Sequence, residues 1–104
     1  MTRPVKLGAA EALARLQAGG SKGWREADGR DALTKTFRFG GFAAAFAWMT
    51  RIALLAEALD HHPEWFNVYD RVEVALTTHD AAGVTELDLK LAKAMDEAAS
   101  PGGG

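Results

Sequence analysis

Residues 59–72 read LDHHPEWFNVYDRV, and within them a helical pattern stops and a strand pattern starts. Upstream, Phe42, Phe46, Met49, Ala53 and Ala56 recur every three or four residues with no Gly or Pro between them, the spacing of an amphipathic helix laid on a core. Pro63 disfavours helical geometry at His62, so that helix closes near Asp60 or His61. Downstream, Val72, Val74 and Leu76 alternate with Glu73, Ala75 and Thr77, as in a half-buried strand. A two-residue turn at Asp70 and Arg71 then pairs residues whose numbers sum to 141: Tyr69 with Val72, Asn67 with Val74 and, by extension, His62 with His79. Directly opposed residues of an antiparallel pair have β-carbons about 4.5–5.5 Å apart. The register therefore predicts that the third histidine of the chain returns to the neighbourhood of the other two, although Pro63 ends the ladder before them.

Outward from this stretch the remaining elements follow. The segment AAEALARLQAGG, residues 9–20, sets Ala9, Leu13 and Leu16 at helical spacing and ends on Gly19 and Gly20, which predicts a short helix. A turn near Asp28 and Gly29 leads to Leu33, Phe37 and Phe39 alternating with Thr34, Thr36 and Arg38; Lys35 interrupts the apolar side of this strand. After His79, Thr85 stands three residues before Asp88 in the manner of a capping box, and Leu87, Leu91, Ala94, Met95 and Ala98 share one face of a last helix. The order helix, strand, helix, strand pair, helix predicts an α+β fold, a small antiparallel sheet covered on one face by three helices; a four-stranded sheet is expected, with its fourth strand not placed by the pattern. Residues 1–99 read as a single domain, and SPGGG at 100–104 as a disordered tail.

Composition removes several function classes. The 104-residue chain contains no cysteine, which excludes disulfides, thiolate metal sites and Cys nucleophiles and fits a reducing compartment. Its 12 basic and 14 acidic side chains are interspersed and leave a net charge of -2, so no basic surface is available for phosphate backbones. The most apolar stretch, FAAAFAWM at residues 42–49, is too short for a bilayer, and MTRPVKLGAA lacks the apolar run of a signal peptide. A soluble, cytoplasmic protein is expected, with no membrane partner and no direct binding of nucleic acid.

Three readings of the histidines are open on the residues alone. One His at a helix end ordinarily complements the helix dipole at the surface. Three converging His can hold zinc, but adjacent ones lack the i, i+4 spacing that points two rings at one ion; no metal and no cofactor are expected. Acid/base chemistry fits better, because imidazole titrates near neutral pH and one ring can donate while another accepts. Glu57 and Asp60, on the last turn of the long helix, stand where they can orient an imidazole or merely be solvated. Trp65 can wall a flat heterocycle, although a core role is the commoner one for such a side chain. No nucleophile motif and no Gly-rich phosphate loop is present.

The stretch AEALDHHPEWFNVYDRVEVALTTHDAAGVTELDLKLA, with Gly23-Trp24, Phe37, Phe39 and WMTRIALLAE from Trp48, resembles the pterin-4a-carbinolamine dehydratase family from about Leu7 to Ala98. The resemblance implies a hydro-lyase that removes water from 4a-hydroxytetrahydropterin to give quinonoid dihydropterin, supporting tetrahydropterin recycling. It implies His61, His62 and His79 as catalytic residues and Pro63, Trp65, Thr78, Asp80 and Ala81 as substrate-binding ones. Glu57, Asp60 and Asp88 match acidic positions near that site, and Asp88 equally well caps the last helix. Ala58 and Ala81 depart from the Lys and Cys that family members often carry, which implies altered affinity rather than lost activity. The family further implies a homodimer or homotetramer. It contains non-catalytic members that act as transcriptional coactivators or assembly partners, the alternative to an enzyme here.

Overall fold

The computed structural model describes residues 4–99, and the expected tail at 100–104 lies outside them. Helix α1 (Ala9–Ala18) buries Ala9, Ala12 and Leu16. It stops at the glycine pair: the Gly19, Gly20 and Ser21 N–H groups donate back to the carbonyls of Arg15, Gln17 and Leu16. Gly20 sits at φ 90°, a backbone angle that a β-carbon would strain. The chain continues through β1 (Arg25–Glu26), β2 (Leu33–Arg38), α2 (Phe42–Leu59), β3 (Glu64–Val68), β4 (Arg71–Leu76), a 3-10 turn (His79–Ala81) and α3 (Glu86–Ala99).

The four strands form one antiparallel sheet in the order β1-β2-β4-β3. Since β4 lies between β2 and β3, α2 must carry the chain across the sheet, and it does so on the face where all three helices pack. Leu33, Phe37, Val72, Val74 and Leu76 point into that face and meet Leu16, Trp48, Ile52, Leu91 and Met95 in one core cluster. Thr36, Arg38, Phe66, Val68 and Glu73 occupy the opposite, open face. This is the α+β architecture expected. Only β1 has no counterpart in the sequence pattern, because its two residues are both exposed and show no alternation.

Lys35, the residue that breaks the apolar side of β2, does lie on the core side. Its ammonium leaves the apolar layer at the rim, donating to Asp96 Oδ1 and the Lys22 carbonyl at 2.6 Å each and standing 4.8 Å from the Phe37 ring centre. An amphipathic stem with a paired head is compatible with such a position.

Three expectations need correction. The stripe Phe42, Phe46, Met49, Ala53 and Ala56 is not the buried face of α2; Ala45, Trp48, Ile52 and Ala56 are buried, while Phe42 and Phe46 are 50% and 53% exposed. The helix is apolar nearly all round, with mean hydropathy 1.5 over its 18 residues, so periodicity alone does not select a face. By length and composition this whole helix, not just its first eight residues, is long and apolar enough to cross a membrane; here it packs one side on the sheet. On α3 the buried face is likewise rotated, with Leu89 and Ala92 inside beside Leu91 and Met95, and Leu87, Ala94 and Ala98 at its margin.

The third correction is the hairpin register. Val68 pairs with Arg71 and Asn67 with Val72, so paired numbers sum to 139 and the turn is Tyr69-Asp70. Tyr69 takes a left-handed φ of 52°, and the Asn67 side chain closes the turn by donating to the carbonyls of Tyr69 and Arg71 at 3.2 and 2.9 Å. A tyrosine in that conformation is not a turn signal. A slip of two residues keeps every side chain on its face, which is why the alternation looked right in the wrong register. Extended past Pro63, this ladder opposes His62 to Thr77, not to His79.

Candidate active site

The end of α2 decides where the paired histidines point. Asp60 follows the last helical residue with φ 52° and ψ 43°; its N–H donates to the Glu57 carbonyl at 3.1 Å, and the His61 N–H donates to the Ala56 carbonyl at 3.0 Å. These two bonds and the left-handed residue make a Schellman motif, in which Asp stands where Gly is usual. The reversal sends His61 inward, where it is 8% exposed, and leaves His62 outside. Pro63 then enters β3.

His61 is bonded through Nε2 to Asp88 Oδ1 at 2.5 Å. The other carboxylate oxygen, Oδ2, accepts from the Thr78 hydroxyl at 2.8 Å and the Thr85 N–H at 2.9 Å. Thr78 in turn is 2.8 Å from the Thr85 hydroxyl, which accepts the Leu87 N–H at 3.2 Å. With its own hydroxyl given to Asp88, Thr78 accepts from Thr85. Asp88 is fully buried, and its Oδ2 accepts two donors. With the ring donating to Oδ1, His61 Nε2 carries the proton and Nδ1 of the neutral ring is the acceptor. Asp88 therefore has both functions left open in the sequence: it completes the capping box of α3 and it holds His61.

The other two imidazoles are exposed and each has a carboxylate of its own. His62 Nε2 is 2.8 Å from Glu57 Oε1, one helical turn back on α2. His79, on the 3-10 turn, places Nε2 3.5 Å from Glu64 Oε2 at the start of β3. Glu64 is itself gripped by Arg30, whose two terminal nitrogens donate to its two oxygens at 2.8 Å each. That bidentate bond and the guanidinium charge hold the Glu64 carboxyl below the usual carboxylate range, with the approach of His79 adding to the effect.

The three histidines thus belong to one neighbourhood, joined by bonds rather than by a strand pairing: His61 reaches Asp88, Asp88 reaches Thr78, and His79 is the next residue and meets the carboxylate two positions after His62. Among the described residues, no group of three His, Asp or Glu side chains is arranged to hold a metal ion. Asp60 is exposed at the helix end, Pro63 and Ala81 are half-buried and Asp80 is exposed. Trp65 is half-buried on the core side of β3, its ring 6.2 Å from that of Trp48. Glu64 and Arg30 were missed by sequence reasoning, and Thr85 was read only as a cap. Glu64 alone carried a signal, being the acidic residue directly after His-His-Pro. A concavity of about 670 Å3 lies on the open face of the sheet between β1 and β3; Glu64 lines it and none of the histidines does.

Comparison with known proteins gives the same direction throughout. The model of the family described as pterin 4 alpha carbinolamine dehydratase matches residues 5–98. A relative from Rhizobium johnstonii, provisionally named a pterin-4-alpha-carbinolamine dehydratase, is 60% identical over 80 residues, 77% of this chain and 79% of the relative. One from a Bradyrhizobium species with the same provisional name is 62% identical over 78 residues, 75% and 78% of the two chains. The crystal structure of a transcriptional coactivator/pterin dehydratase from Brucella melitensis superposes with a TM-score of 0.84 at 49% identity, covering 91% of this chain and 99% of that one.

Proposed function

Because this chain belongs to the pterin 4 alpha carbinolamine dehydratase family, we propose that it removes water from 4a-hydroxytetrahydropterin to give quinonoid dihydropterin, with His61, His62 and His79 as the acid/base set. The observation that carries this reading is the pairing of each imidazole with a separate carboxylate within one connected site. In the reaction the N5 lone pair forms the C4a=N5 bond as the C4a–O bond breaks. One imidazolium protonates the departing hydroxyl and one neutral imidazole takes the N5 proton, so neither charge builds on the pterin. His61 is suited to the accepting role by the tautomer Asp88 imposes. Pro63, Trp65, Thr78, Asp80 and Ala81 form the substrate-binding surface, and no metal or cofactor is required. Localisation in the cytoplasm and assembly into a homodimer or homotetramer complete the reading.

The test is turnover of chemically generated 4a-hydroxytetrahydropterin by the wild-type chain and by His61→Ala, His62→Ala and His79→Ala. Loss of a positioned acid or base costs about 10²–10⁴-fold, and each variant is expected in that range with its circular dichroism unchanged. Wild-type turnover in all three would end the proposal. A second reading, a non-catalytic interaction scaffold, is favoured by the exposed apolar side chains of α2, Phe42, Phe46 and Leu54. It predicts that a triple histidine variant still holds its partner in a pull-down while charged substitutions on α2 release it.

A further inference from the structure

The turn between β1 and β2 is distant in sequence from the histidines, yet its dipeptide Arg30-Asp31 touches both supports of His79. Asp31 works on the backbone. Its carbonyl accepts from the Thr77 hydroxyl at 2.8 Å and its Oδ1 accepts from the Val84 N–H at 2.8 Å, so it grips the 77–84 segment on both sides of His79. Between those grips the segment is closed on itself, with Thr78 and Gly83 exchanging N–H···O bonds at 3.0 and 3.2 Å. Gly83 leaves room for the carboxylate: a β-carbon there would fall 2.6 Å from Asp31 Oδ1.

Arg30 works on the side chain that meets the ring. Its bidentate bond fixes the Glu64 carboxylate in place and in plane, with Oε2 directed to His79. An ion pair with both members more than 40% exposed contributes little to stability, so fold stability does not account for the pair. We propose that Arg30 is a positioning residue for His79: on the loop that Asp31 holds, it fixes, through Glu64, the carboxylate that orients the ring. The proposal rests on the reading of His79 as a member of the acid/base set, and nothing in it requires Arg30 or Asp31 to touch the substrate.

Among the described residues, Arg30 and His79 are the basic side chains paired with Glu64; Arg25, Glu26, Asp28, Lys35 and Glu73 line the adjoining concavity. Arg30 keeps the Glu64 carboxyl low. Its removal lets that value rise toward the ordinary carboxylate range, and the carboxylate loses the partner that fixes its plane.

The experiment compares wild type, Arg30→Gln, Arg30→Lys and Glu64→Gln in turnover against pH and in the proton NMR spectrum, where the three imidazoles are few enough to assign. Arg30→Gln is expected to lower kcat about tenfold, since small misplacements of a catalytic group are costly, with KM within about twofold and a shifted or broadened His79 resonance while His61 stays unchanged. Arg30→Lys restores part of the loss, and Glu64→Gln reproduces it. Wild-type kcat and an unshifted His79 resonance in Arg30→Gln overturn the proposal, whatever Glu64→Gln does. Failure of the wild-type chain to turn over the carbinolamine would defeat the dehydratase reading alone, because the resonance reports ring placement without substrate.

Discussion

Asp88 shows how one residue can satisfy fold and site at once. Its position three residues after Thr85 was legible as a cap, and its acidic character as part of a site; that both hold simultaneously depends on the carboxylate having two oxygens. One oxygen serves Thr78 and the backbone of Thr85, the other His61. Asn at this position retains the shape but has one oxygen and one NH₂ group. If the oxygen continues to serve Thr78 and Thr85, the NH₂ faces His61 Nε2 and forces the ring into the opposite tautomer. Asp88→Asn is therefore expected to cost about 1–3 kcal/mol in urea unfolding, the range for an impaired buried hydrogen-bonding group, and to lower turnover by about 10²-fold. Thr85→Ser, which keeps the hydroxyl and the N–H, should stay close to wild type in both. Wild-type turnover by Asp88→Asn would show that the His61 tautomer is irrelevant to the chemistry. Glu64 is the contrasting case. Its sequence position was plain, but its importance comes from Arg30 on a distant turn, and no local pattern encodes a pairing between those two.

At the level of elements, the end of α2 was readable because Pro63 acts on its immediate neighbour through sterics. What followed was less so. The β3–β4 alternation fixed the faces, but the register depended on Tyr69 accepting a left-handed conformation, supported by the Asn67 side chain, and single-residue turn preferences point elsewhere. Asp60 is the complementary case, an acidic residue read as a site support that the backbone uses as a helix terminator. A left-handed residue with a β-carbon costs roughly 1–2 kcal/mol, a penalty glycine avoids and β-branched side chains aggravate. Asp60→Gly is expected to unfold within about 0.5 kcal/mol of wild type, the relief at the backbone being offset by the greater freedom of the unfolded chain. Asp60→Val is expected to lose roughly 1–2 kcal/mol. Turnover separates the two roles of Asp60: retention in Asp60→Gly assigns it to backbone geometry, and a drop of tenfold or more with unchanged stability assigns its carboxylate to the reaction.

For the whole molecule, the sequence disclosed the layers because a helix and a strand each need one apolar side, but it did not disclose which apolar side chains stay outside. Phe42, Phe46 and Leu54 of α2 remain 50%, 53% and 70% exposed, and Phe66, Val68 and Tyr69 lie exposed along the edge strand β3 and its turn. That excess of apolar residues is what misdirected the choice of buried face on α2. A contiguous exposed apolar surface favours association, and an edge strand offers unpaired backbone groups to a second chain, so self-assembly is expected from two separate surfaces. The test is sedimentation equilibrium of the wild-type chain beside Phe46→Glu/Leu54→Glu and beside Phe66→Glu/Val68→Lys. Both pairs lie outside the core cluster, so the monomer fold should survive. If α2 and β3 each carry an interface, wild type sediments as a tetramer and each double variant as a dimer; if only one does, wild type is a dimer and only that variant becomes a monomer. A wild-type chain that is monomeric at micromolar concentration would remove the expected assembly and leave the apolar face of α2 available for a different partner.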